Sequence, residues 1–289
     1  MKGWMQLIRP SNVLTAISDV MAGLAIACLF MQQSLPDWPT LLLLSLSSMS
    51  LYMGGIVYND VFDFKLDQIE RPERPIPSGR VQISQAVQLG TIAFVLGCVL
   101  ALKINSTCFY IALAIVLMCL IYNGIAKHHF ILGPICMGMC RGLNLLLGVA
   151  AIPAALAYWP LALVPVVYIA AVTNISRGEV YGDNKKAMLV SLVLYLLVLG
   201  TLSYYTLQSG LYLAFIFIAG FAFMIGKPLF KALQTLAPPD IRKAVKFGVL
   251  ALILMNASWI ALSGFWVLAL AVCCTLPISM VLAKKFAVT

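Results

Sequence analysis

Long apolar stretches separated by short polar segments recur along the whole chain. Each stretch holds about 18 to 22 residues, the length that crosses a hydrocarbon core of roughly 30 Å as an α-helix. The pattern predicts ten helices, near residues 11–32, 39–58, 84–103, 107–125, 133–154, 161–178, 187–207, 211–228, 244–263 and 265–283. Segment 229–243, which contains Pro238-Pro239, is predicted to be a linker at the membrane surface. We therefore expect an all-α, multi-pass membrane protein in which residues 1–289 form one membrane domain.

Composition excludes an ordinary soluble domain. Apolar residues make up 62% of the chain and charged residues only 10%, whereas soluble domains carry about 25% charged residues. All eight cysteines lie inside or at the edges of apolar stretches, so we interpret them as buried apolar side chains rather than metal ligands or disulfides. The first stretch is longer than the apolar core of a signal peptide and contains Asp19. We interpret it as a retained helix.

The basic residues follow a topological pattern. With ten crossings, both termini and the polar loops that follow the even-numbered helices share one side. That side holds 17 of the 19 Lys and Arg residues. This asymmetry assigns both termini and the loops 59–83 and 177–186 to the cytoplasm, and we expect a bacterial inner-membrane protein. The formal charge of +9 then reflects topology. We expect membrane lipids, and no nucleic acid, as partners.

Seven of the ten acidic residues lie in two short stretches on this side. In the first, Asn59, Asp60, Asp63 and Asp67 at a helix end fall within about 100° of one helical face. Clustered carboxylates repel one another unless a cation lies between them, and Mg²⁺ bound by carboxylates and phosphate oxygens meets that need. Glu179-x-x-x-Asp183 repeats the arrangement. The alternative interpretation is a pair of solvated acidic helix ends.

Basic side chains accompany these acids. The prolines of segment 70–80 exclude a continuous helix, and its arginines, including Arg71, either bind diphosphate or serve only as topological charges. Arg141 lies inside the fifth predicted helix, where a charge normally faces a cavity or a partner, and Asn144 is one turn farther on. A structural ion pair between Arg141 and Asp19 is the alternative interpretation.

These motifs resemble a known family. Asn59-Asp-x-x-Asp63-x-x-x-Asp67, followed by an Arg-Pro-x-Arg-Pro segment from Arg71, is similar to the first signature of the UbiA superfamily of intramembrane prenyltransferases. The second acidic motif also resembles its counterpart there, and its flanking residues 176–186 are similar to the UbiA-like EboC branch. Further matches are Arg9-Pro10, Tyr122-x4-Lys127 and Arg141-Gly-Leu-Asn144. The resemblance covers nearly the whole chain.

The resemblance implies a bundle of about nine or ten transmembrane helices around a central cavity. It implies Mg²⁺-dependent transfer of a prenyl group from an allylic diphosphate donor to a small hydrophobic, aromatic or other electron-rich acceptor. The implied metal ligands and catalytic residues are Asp60, Asp63, Asp67, Glu179 and Asp183. The implied substrate-binding residues are Asn59, Arg71, Tyr122, Lys127, Arg141, Asn144 and Asp19.

Two other classes of protein share some of these features. The CDP-alcohol phosphotransferases are also helical membrane enzymes with aspartate-rich Mg²⁺ sites, but their pattern resembles Asp-x2-Asp-Gly-x2-Ala-Arg. Phe64 follows Asp63 here, so that pattern is not met. A carrier or lipid-binding protein with the same fold stays open as an alternative, because ligand-binding groups alone do not establish turnover.

Overall fold

The computed structural model describes residues 2–179, 182 and 185–286, which form helices joined by turns. The α-helices are α1 (Lys2–Ile8), α2 (Pro10–Met31), α3 (Trp38–Phe62), α4 (Phe64–Glu70), α5 (Ile83–Ile104), α6 (Ser106–Ile121), α7 (Leu132–Val149), α8 (Leu163–Ser176), α9 (Lys185–Ser209), α10 (Phe215–Thr235), α11 (Pro238–Leu262) and α12 (Trp266–Phe286). A π-helical turn, Tyr122–Ala126, follows α6, and a 3-10 helix, Pro153–Ala162, precedes α8. Ten segments of the described chain are long and apolar enough to cross a membrane, which confirms the ten predicted helices.

Helices α2 and α11 form the centre of the bundle. In the most apolar stretch of each segment, 78% of the residues are buried for Lys2–Met31 and 72% for Pro238–Leu262. The corresponding share for Trp266–Lys285 is 17%. Helix α2 packs against α3, α7, α11 and α12. Polar residues carried by α2 and α11 are therefore enclosed by protein rather than by lipid.

Two glycines bring α2 and α7 into backbone contact. A Cβ atom on Gly23 would lie 1.9 Å from the carbonyl oxygen of Leu145, and one on Gly148 would lie 2.0 Å from that of Val20. No side chain fits at such distances, so glycine sets the spacing of this helix pair. That spacing brings Asp19 of α2 within hydrogen-bonding distance of Arg141 of α7.

We expect Gly148→Ala to lower the thermal unfolding midpoint of the purified protein in detergent. Forcing a methyl group into this contact must separate two helix backbones, at the upper end of the roughly 1–3 kcal/mol typical of overpacking. Gly200→Ala is the matched control, because a Cβ there has no neighbouring atom within 4 Å. Equal midpoints for the two variants would contradict the close packing.

The linker predicted over 229–243 is wrong. Helix α10 continues to Thr235 and α11 begins at Pro238, which leaves only a short turn. Leu236 has a left-handed conformation (φ 51°) that ends α10, and proline is favourable in the first turn of a helix. The lysines and arginine of this segment lie on helix ends, where polar composition gave the impression of a loop.

The N-terminus and the segment between α4 and α5 meet at one end of the bundle. Arg80 donates a hydrogen bond to the side-chain oxygen of Gln6 at 2.6 Å. Ile76 and Val81 are buried in a small apolar cluster with Leu7 and Val57. As the prolines predict, residues 71–82 form turns rather than a helix. The apolar cluster holds these turns against the end of the bundle.

Candidate functional site

A cavity of about 430 Å³ opens between the start of α2 and helices α3, α4, α6 and α7. Five basic and three acidic side chains line it, together with asparagines, an apolar wall and two tyrosines. Eight of the predicted site residues line this cavity: Asn59, Asp63, Asp67, Arg71, Tyr122, Lys127, Arg141 and Asn144. The structure therefore brings together predicted residues from three separate stretches of sequence.

The first acidic motif is divided by a break in the helix. Helix α3 ends at Phe62 and α4 begins at Phe64, with Asp63 between them. Asn59, Asp63 and Asp67 line the cavity, whereas Asp60 is buried outside its lining, at 3% exposure. The expectation that all four side chains point into one volume thus holds for three of them, whereas Asp60 pairs with Arg9.

Each carboxylate of this motif forms an ion pair with a basic residue from elsewhere in the chain. Asp60 pairs with Arg9, and Asp63 pairs with Lys127. Asp67 accepts a hydrogen bond from Arg74 Nη1 at 2.6 Å. The same nitrogen lies 3.6 Å from Asp60. The repulsion expected among clustered carboxylates is therefore offset by three basic side chains.

Arg9 reaches Asp60 from an unusual backbone conformation. It lies between α1 and α2 with φ 45° and ψ 65°, the left-handed region that is unfavourable for residues other than glycine. Pro10 then starts α2. Arg9 also lines the cavity, so the strained turn places a guanidinium where the acidic motif and the cavity meet.

The π-helical turn after α6 presents three polar side chains to the cavity. The amide of Lys127 donates to the carbonyl oxygen of Tyr122 at 2.9 Å, an i to i+5 bond. The wider turn brings residues five apart closer to one face than an α-helix does, and Tyr122, Asn123 and Lys127 all line the cavity. Asn123 accepts a hydrogen bond from the amide of Asn59 at 2.8 Å, which fixes the orientation of that side chain.

A buried polar network lies behind the cavity. Asp19 is fully buried and accepts hydrogen bonds from Arg141 at 2.8 Å, Asn144 at 3.0 Å and Asn256 at 2.7 Å. The guanidinium of Arg141 also lies 4.3 Å from the ring centre of Tyr52. The ion pair between Asp19 and Arg141, given above as an alternative, is therefore present, while Arg141 also lines the cavity. Asp19 itself does not line the cavity.

The second acidic motif is only partly described. Glu179 lies after α8, and burial raises the pKa of its carboxyl above the usual value, while Arg71 and Arg242 act in the opposite direction. Glu179 does not line the cavity. Asp183 lies outside the described residues, so its placement as a metal ligand stays a prediction.

The donor set fits Mg²⁺ by its chemistry. Two carboxylates, Asp63 and Asp67, and the amide of Asn59 line one cavity, and Mg²⁺ is usually bound by one or two carboxylates together with substrate phosphates and water. No three of the described His, Cys, Asp and Glu side chains form a ready-made metal-binding group. In this structure Asp63 and Asp67 are instead paired with Lys127 and Arg74.

Several site residues carried no assigned role in the sequence analysis. Arg74 and Arg9 belonged to the matching motifs but were not singled out as ion-pair partners of the carboxylates. Asn123 adjoins Tyr122, and Asn256 is a lone amide in the apolar stretch of α11. A lone amide in a transmembrane stretch is itself a signal, because an unpaired polar group is unfavourable there.

Curated proteins that share one name are similar to part of this chain. The chain is 32% identical to the digeranylgeranylglyceryl phosphate synthase of Sulfurisphaera tokodaii over 151 residues, 51% of each chain. It is 42% identical to the protein of the same name from Methanosarcina mazei over 95 residues, 33% of each chain. The chain thus spans about half the length of the curated relatives it matches, or less.

Solved structures share the fold. A UbiA homologue from Aeropyrum pernix K1 superposes with a TM-score of 0.70 at 15% identity, covering 87% of this chain and 97% of that one. A UbiA homologue from Archaeoglobus fulgidus bound to GPP and Mg²⁺ gives a TM-score of 0.64 at 16% identity, covering 91% and 100%. The sequence model of the UbiA prenyltransferase family matches residues 20–247, which is most of the chain. The chain therefore belongs to the UbiA prenyltransferase family.

Proposed function

We propose that this protein catalyses Mg²⁺-dependent transfer of a prenyl group from an allylic prenyl diphosphate to an electron-rich acceptor within the membrane. The observation that carries the proposal is a single cavity in which Asp63, Asp67 and Asn59 face the basic side chains of Arg71 and Lys127. Family membership and the relatives' name, digeranylgeranylglyceryl phosphate synthase, support transfer of a prenyl group rather than another reaction.

The basic side chains of the cavity are suited to hold the diphosphate. Five basic residues line it against three acidic ones, so the lining attracts an anionic group even before a metal binds. Lys127 and Arg74 are paired with Asp63 and Asp67. When the diphosphate and its metal arrive, these two basic residues are placed to exchange the carboxylates for phosphate oxygens.

Asp63 and Asp67 would hold the metal, with Asn59 as an oriented neighbour, and the metal would then supply charge neutralisation for the leaving diphosphate. We further assign Asp60 to the support of this set, and Glu179 and Asp183 to a second metal position beside Arg71. The carbon–oxygen bond of the donor breaks with its electron pair leaving on the diphosphate. The allylic carbon then bonds to the acceptor, and the proton lost by the acceptor passes to the released diphosphate.

The rest of the cavity suits the hydrocarbon part of the reaction. Leu51, Ile56 and Ile115 form an apolar wall that excludes water from the allylic cation. Tyr122 also lines the cavity, and an aromatic face stabilises a nearby positive charge. Arg141 and Asn144, held by Asp19, position the wall rather than take part in proton transfer.

The acceptor class is decided by a direct assay. Purified protein is incubated with ¹⁴C-labelled geranyl diphosphate and either a phenolic acceptor or a prenylated glyceryl phosphate, the acceptor class that the relatives' name indicates. We expect labelled product with one acceptor, formed in Mg²⁺ and abolished by EDTA. Tight donor binding without product for either acceptor would favour the alternative function, a carrier with the same fold.

A further inference from the structure

A second cavity, of about 490 Å³, lies between α10, α11 and α12 and shares no lining residue with the site above. Helices α10 and α12 both pack against α11, and they meet where the rings of Phe217 and Trp266 lie 6.0 Å apart. Beyond this contact the cavity forms a groove between the C-terminal halves of the two helices. Its apolar wall includes Phe223, Leu254 and Leu276.

Three lysines line the groove: Lys227 and Lys231 of α10 and Lys243 of α11. Lys227 and Lys231 are one turn apart and so share a helical face. Lys227 lies eight residues before the end of α10 at Thr235, about 12 Å along the helix axis. A lysine at this depth in a membrane helix is unfavourable unless its ammonium group reaches water or an anion.

The described residues neutralise these lysines only in part. Lys231 pairs with Asp240 at 3.1 Å. Lys227 lies 5.6 Å from the ring centre of Phe223, a contact that does not remove its charge. Within the described part of the chain, neither Lys227 nor Lys243 forms an ion pair with a carboxylate. The groove therefore combines an apolar floor with an excess of positive charge, three lysines against one aspartate.

We propose that this groove binds an anionic phospholipid of the surrounding leaflet. The phosphate lies among the ammonium groups of Lys227, Lys231 and Lys243, and one acyl chain lies along the wall formed by Phe223, Leu254 and Leu276. A zwitterionic lipid brings its own positive charge to the same place, which the lysines disfavour. Helix α12 supplies one wall and lies outside the family match at residues 20–247, whereas the three lysines lie within it.

The test measures equilibrium binding of fluorescent phosphatidylglycerol and of phosphatidylcholine with identical acyl chains to the full-length protein in detergent. The test variant carries Lys227→Gln, Lys231→Gln and Lys243→Gln. The matched control carries Lys2→Gln, Lys246→Gln and Lys284→Gln, which remove the same charge outside the groove. A third variant, Gly220→Leu, fills the apolar part of the groove without changing charge, and a Cβ at residue 220 has its nearest neighbour at 3.8 Å.

We expect wild-type protein to bind phosphatidylglycerol at least about tenfold more tightly than phosphatidylcholine, since each lysine beside an anionic headgroup contributes roughly fivefold. The groove-lysine variant and Gly220→Leu should both lose this preference, and the control variant should keep it. Equal binding of the two lipids to wild-type protein, or an equal loss in the control variant, would overturn the proposal. The proposal would also be overturned if the groove-lysine variant lost the preference for phosphatidylglycerol while Gly220→Leu kept it. That result would indicate binding of the headgroup alone.

Discussion

Replacing Asp63 with alanine is expected to weaken Mg²⁺-dependent binding of a non-hydrolysable prenyl diphosphate by about 30- to 1000-fold, or about 2–4 kcal/mol. Asp63 lies at the break between α3 and α4 and lines the cavity. Its loss removes one carboxylate from the proposed metal position. Titration calorimetry with and without Mg²⁺ measures the effect.

The same variant should behave differently in EDTA. Asp63 is paired with Lys127, so its removal frees a positive charge, and metal-free binding should be unchanged or tighter. Asp37→Ala is the matched control, because Asp37 precedes the same helix at its opposite end and is exposed. An equal loss with and without Mg²⁺ would show that Asp63 only supports the fold.

The second large effect is expected for Asp19→Ala, which should destabilise the protein by about 3–5 kcal/mol. Asp19 is fully buried and accepts hydrogen bonds from three side chains, Arg141, Asn144 and Asn256. Its removal leaves the charge of Arg141 buried without its partner. The thermal unfolding midpoint in detergent should fall accordingly.

Two further variants identify the cause of that loss. Asp240→Ala removes an ion pair whose lysine is 59% exposed and should lower the unfolding midpoint far less than Asp19→Ala does. The double variant Asp19→Asn with Arg141→Gln removes both charges and should recover part of the stability lost in Asp19→Ala. A double variant no more stable than the single one would mean that shape, rather than the unpaired charge, decides the effect.

The sequence was sufficient for the fold because helix length and apolar character are local properties. Apolar length predicted all ten membrane helices, with ends that differ from the observed ones by a few residues in most cases. It failed at 229–243, where charged residues at helix ends resembled a loop although the backbone stays helical through Thr235 and resumes at Pro238.

The site was predictable in composition but not in pairing. The acidic motif identified Asp63 and Asp67, yet their basic partners, Lys127 and Arg74, follow from tertiary packing. Helical geometry placed Asp60 on the same face as Asp63, but Asp60 is buried against Arg9 and does not line the cavity. The π-helical turn at Tyr122–Ala126 is likewise set by packing, since no residue type in this sequence specifies an i to i+5 hydrogen bond.

The most direct test of the metal-assisted diphosphate site is electron paramagnetic resonance with Mn²⁺ in place of Mg²⁺ and a bound non-hydrolysable prenyl diphosphate. Phosphorus has a strong through-bond coupling to Mn²⁺ only when its phosphate oxygen binds the ion. We predict ³¹P coupling in the wild-type protein, its loss in Asp63→Ala and its retention in Asp37→Ala. Absence of coupling in the wild-type complex, or unchanged coupling in Asp63→Ala, would contradict the proposed site.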